Sequence, residues 1–94
     1  MNNGLIANNA VAVTDAMITD AINAAQAFAD KKNKWGFTAW DVIGELGRVA
    51  AQTGGAVYNV KPQVERALGA LDDACKVTVL IPASGSMMRY KLDA

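Results

Sequence analysis

The stretch VKPQVERALGALDDACKVTVLIPASGSMMRYKL, residues 60–92, decides the fold. In its second half Val77, Val79 and Ile81 alternate with Thr78 and Leu80, and Met88, Tyr90 and Leu92 alternate with Arg89 and Lys91. Period two is the pattern of strands with one covered face. Setting Ile81 opposite Met88 puts Val79 opposite Tyr90 and Val77 opposite Leu92, so one register gathers six apolar side chains on one face. The bend falls on residues 82–87, where Pro82 has no N–H to give a ladder and Ser84-Gly85-Ser86 is turn chemistry. The expectation is an antiparallel hairpin over 76–92, packed by that face on Val64, Leu68 and Leu71.

Those three residues belong to a helix expected over 61–74. Pro62 suits a first helical position, where its missing N–H would have no partner anyway, and Val64, Leu68, Leu71 and Cys75 follow at helical spacing. At 100° per residue Pro62, Arg66, Gly69 and Asp73 fall on the opposite side, with Gln63 and Ala70 on one flank and Glu65 on the other. Cys75 reads as a small core residue. It is the chain's one cysteine and the chain has no histidine, so neither an intrachain disulfide nor an activated thiol is expected.

Working outward, Thr38 caps a helix with Asp41 at the capping-box position and Phe37 placed to staple onto Val42. Its buried side is Val42, Ile43, Leu46, Val49 and Ala50. Gly44 and Gly47 weaken it and suit close approach by another helix, and residues 52–55 end it. Residues 56–60 read as a short strand or a turn. Before it, Thr14 or Asp15 caps a helix to about Lys32, with a stripe of Ile18, Ile22, Ala25 and Ala29. Met17, Ala21, Ala24 and Phe28 widen that stripe beyond what a small core needs. Two readings stand side by side: a homodimer contact through these four residues, or tight packing of alanines between two helices. Lys31, Lys32 and Lys34 complement the helix dipole at its end. Residues 1–13 form an N-terminal arm, read equally as loose chain, short helix or edge strand, and residues 14–94 one domain.

Ninety-four residues with 52% apolar and 19% charged side chains suit a single folded core. Nine Lys plus Arg balance nine Asp plus Glu, so bulk charge advertises neither a nucleic acid nor a basic partner. Asn8 and Asn9 interrupt the apolar run at the start, and no stretch has the length of a membrane span, so a cytoplasmic protein is expected. No cofactor, metal site or enzyme activity is expected: histidine and a cysteine pair are absent, no serine sits in a nucleophile elbow, and Asp72 and Asp73 diverge by 100° on their helix.

In order, the chain reads helix, short extended piece, helix, turn, helix, strand, loop, strand: an α+β, mainly α layout of three helices plus a C-terminal β-hairpin. Gly36-Phe37-Thr38-Ala39-Trp40-Asp41-Val42 with Leu46, the run 61–71 and the ending Arg89-Tyr90-Lys91-Leu92 resemble the winged helix-turn-helix family. The resemblance implies a third helix that enters the DNA major groove and a hairpin wing that meets the neighbouring backbone. Carried over by position, Lys61, Gln63, Arg66, Gly69 and Ala70 would face DNA, with Gln63 suited to adenine and Arg66 to guanine, while Lys61, Arg89 and Lys91 would meet phosphate. Arg66 is equally compatible with an intrahelical pair to Asp73 or Glu65. The functional expectation is a transcriptional regulator that binds double-stranded DNA as a homodimer. The alternative is a winged-helix module that binds protein, favoured by neutral charge, by a loop 82–86 without Lys or Arg and by an outward-facing Leu80; a third is an accessory domain of a nucleic-acid enzyme.

Overall fold

A computed structural model of the protein describes residues 10–32, 35–81 and 88–93. Three helices, α1 (Asp15–Lys31), α2 (Ala39–Ala51) and α3 (Lys61–Asp73), are followed by an antiparallel pair, β1 (Val77–Leu80) and β2 (Arg89–Leu92). This is the expected mainly helical layout. Residues 1–9 of the arm, Lys34 and the bend 82–87 lie outside the described residues.

The first two helices begin where side-chain chemistry can satisfy their first N–H groups. Thr14 is the N-cap of α1, its hydroxyl accepting from the Met17 N–H at 3.2 Å. Asp15 lies in the first turn and Lys31 in the last, both matched to the helix dipole. At α2 the capping box closes both ways: the Asp41 N–H donates to the Thr38 hydroxyl (3.2 Å) and the Thr38 N–H to the Asp41 carboxylate (2.9 Å). Phe37 and Val42, the staple pair, are both fully buried. Helix α3 has no side-chain cap and relies on Pro62 in its first turn.

The helix ends hold a correction. Helix α2 closes with the Gly55 N–H on the Ala50 carbonyl and the Gly54 N–H on the Ala51 carbonyl, Gly54 having φ +77°. Helix α3 closes identically, the Lys76 N–H on the Leu71 carbonyl and the Cys75 N–H on the Asp72 carbonyl, but the residue with positive φ is Cys75 at +59°. This wrap takes the chain out of the helix before a fourth turn can bury Cys75, which is exposed rather than part of the core. A left-handed L-residue costs about 1–2 kcal/mol. Cys75→Gly is therefore expected to stabilise the protein by about 0.5–1 kcal/mol, after the extra backbone entropy of glycine, as read from urea unfolding midpoints.

The hairpin register is as expected where it is paired, with Val77 opposite Leu92 and Val79 opposite Tyr90. The ladder stops at Leu80 and Arg89, and the expectation that Ile81 and Met88 share the buried face is overturned: they are 74% and 47% exposed. Burial falls along β1 from Val77, 5% exposed, to half-buried Val79, because the hairpin leaves the helices as it runs toward its tip.

Strand β2 has partners on both edges. Tyr90 pairs across one edge with Val79 and across the other with Phe37, whose N–H and carbonyl bond the Tyr90 carbonyl (2.9 Å) and N–H (2.7 Å). Two residues on, the Leu92 N–H points to that same edge and donates to Oε1 of Gln26 on α1 (2.7 Å). The short piece before α2 thus acts as a third strand, and a side chain of α1 extends its edge by one bond.

The core joins Ile18, Ala21, Ile22, Ala25 and Ala29 of α1 to Phe37, Ala39, Val42 and Leu46, and to Val60, Val64 and Leu68, with Leu71, Tyr90 and Leu92 packed against it. Ala21 is thus consumed by the chain's own core. A Cβ at Gly44 or Gly47 would meet nothing within 4 Å, so the close helix approach expected there does not occur among the described residues. A parallel bridge joins Ala10 to Ala56, with the Val11 N–H on the Ala56 carbonyl (2.9 Å), so residue 10 forms an edge contact and 56–60 is a turn-like link.

Candidate nucleic-acid interface

Burying Val64 and Leu68 fixes the rotation of α3. Lys61, Pro62, Arg66, Gly69 and Ala70 are left exposed and Gln63 half-buried, in the order the 100° spacing dictates. Neither Asp73 nor Glu65 pairs with Arg66: among the described residues the salt bridge is Arg48 with Glu45 on α2, at 2.9 Å. The fork of Arg66 remains available, with small Gly69 and Ala70 beside it. The Lys61 ammonium stands 5.2 Å from the centre of the Trp40 ring, so a residue of α2 holds the basic group at the start of α3.

On the hairpin, Arg89 and Lys91 alternate with Tyr90 and Leu92 and therefore share the face turned away from the core, Lys91 exposed and Arg89 half-buried. Burial first, and then the carboxylates of Glu65 and Asp72, push the Tyr90 phenol above its usual value. Lys61 and Arg66 thus belong to the exposed side of α3, and Arg89 and Lys91 to the outer face of the hairpin.

Of the four residues expected at a subunit contact, Ala21 is buried, Met17 and Ala24 are half-buried, and Phe28 is 49% exposed with the Lys32 ammonium 5.8 Å from its ring centre. Met17 and Ala24 line a groove of about 290 Å³ between α1 and α2, together with Asp20, Glu45, Arg48 and Val49. Sequence reasoning missed Trp40 as the seat of Lys61 and Gln26 as the anchor of β2. Gln26 carries one local signal, the amide bond to Asp30 four residues on (2.9 Å), and none that points to Leu92.

Among the described residues no group of three metal-ligating side chains converges, and no helix is long and apolar enough to cross a membrane. No family model, no curated protein and no solved structure matches the chain.

Proposed function

We propose that this is a small winged-helix DNA-binding protein, a transcriptional regulator that places α3 in the major groove and the hairpin against the neighbouring backbone. The observation that carries the reading is Arg66: a guanidinium with no ion pair among the described residues, on the outer face of α3, flanked by side chains too small to keep a base edge away. Lys61, Arg89 and Lys91 supply phosphate contacts, and Gln63 and Ala70 border the reading face. Three phosphate contacts give a weak monomer, so the proposal includes a homodimer through Met17, Ala24 and Phe28, which doubles the contacts and presents two copies of α3 to a two-fold site.

The test is fluorescence anisotropy against mixed duplex DNA across a salt series, with the oligomeric mass measured alongside. Neutralising three phosphates per protomer implies a slope of log K against log salt of roughly −2.7 for each protomer engaged. Lys91→Ala should reduce that slope by about 1 and weaken all sequences alike. Arg66→Ala should lose about 1–3 kcal/mol on the preferred sequence and flatten the preference. If the folded double variant Arg66→Ala/Lys91→Ala binds every duplex as the parent does, groove docking is wrong.

A second reading, a winged-helix module that binds protein, has its own support in the exposed carboxylates of Glu65 and Asp72 on α3 and in the exposed apolar residues Ile81 and Met88. Its affinity would change little over the same salt series.

A further inference from the structure

A groove of about 580 Å³ runs between α1 and α3 and ends against the hairpin. Its floor is apolar: Ile18 and Ile22 from α1, Ala67 and Leu71 from α3, and Leu92 from β2. Its volume falls in the range of small-molecule sites, roughly 300–1,000 Å³. The rim is polar and unevenly charged. Arg66 and Lys76 stand on the α3 side, against Asp15 alone on the α1 side, and none of these three has an ion pair among the described residues. Thr19 and Asn23 of α1 and Gln63 of α3 add hydrogen-bonding groups.

We infer that this groove binds an amphipathic organic anion: an aromatic or aliphatic body on the floor, with a carboxylate or sulfonate held by Arg66. A neutral apolar molecule would leave the guanidinium unanswered. A cation would face two like charges, whereas an anion gains the charge-assisted fork bond that the Arg66 side chain makes with no other described residue. Gln63, Arg66 and Ala70 line this groove and are also the residues proposed to meet DNA. On that reading, which this consequence rests on, an occupied groove withdraws Arg66 from the base edge, and the anion acts as a release signal.

The test uses no DNA, so its failure is separate from failure of the DNA reading. The intact protein is titrated with 1-anilinonaphthalene-8-sulfonate and with its uncharged counterpart N-phenyl-1-naphthylamine, following fluorescence. The sulfonate should saturate at one molecule per chain. Arg66→Ala should weaken the sulfonate about tenfold, the equivalent of one charge-assisted bond, and leave the neutral probe within about twofold. Thr19→Phe, an exposed position whose larger side chain fills the groove, should weaken both about tenfold, with Asn23→Phe in its place if that variant loses its near-ultraviolet circular dichroism. Unsaturable binding, equal weakening of both probes by Arg66→Ala, or indifference to the groove-filling change would overturn the assignment.

Discussion

Gly36→Ala is expected to lower stability by about 3 kcal/mol and the thermal midpoint by roughly 12–24 °C. Two costs combine. The backbone at Gly36 has φ +83°, where an L-residue loses about 1–2 kcal/mol, and a Cβ built there falls 2.4 Å from the Tyr90 carbonyl oxygen. The obstacle is main chain, so no rotamer change relieves it. Either Gly36 or β2 must retreat, and the two bonds between Phe37 and Tyr90 lengthen or break. Gly54→Ala is the control: φ is +77° but open space surrounds the new methyl, so only the conformational cost of about 1 kcal/mol should appear. Thermal and urea unfolding of both variants measures the difference. Equal losses would mean that the approach of Gly36 to β2 contributes nothing.

Phe37→Ala should cost about 3–5 kcal/mol, the largest loss from a single side chain here. Phe37 is fully buried and heads the fully buried side chains by volume, with its ring 6.0 Å from that of Tyr90. Three elements converge on it, so the vacancy has little freedom to collapse. Phe37→Leu, which refills most of the volume, should cost about 1–2 kcal/mol. Gly36→Ala and Phe37→Ala act on the same contact and should fall short of additivity when combined. A loss below about 1 kcal/mol for Phe37→Ala would contradict its place at the centre of the core.

What was legible in the sequence was local or periodic. The Thr38 and Asp41 capping box is a matter of two residues three apart, and the matched alternation of the hairpin arms fixed which residue of β1 meets which of β2. The outer face of α3 followed from helical spacing alone. Long-range features escaped. Alternation gives a strand's two faces but not where the support beneath it ends, so exposed Ile81 and Met88 looked like core. A left-handed terminus shows in sequence when glycine occupies it, as at Gly54, and is hidden when cysteine does, as at Cys75. The seat of Lys61 on Trp40 joins two helices and leaves no pattern within either.

The bond from the Leu92 N–H to Gln26 joins residues 66 positions apart, and the Phe37 bridge lies on the same edge of β2. During synthesis at about 5–20 residues per second, Gln26 is therefore made roughly 3–13 s before the strand it anchors. Helix–coil exchange is complete in microseconds. The early helices consequently spend seconds on the ribosome with the Phe37 edge unpaired, and the apolar flank that β2 later covers lacks its own cover until that strand is made.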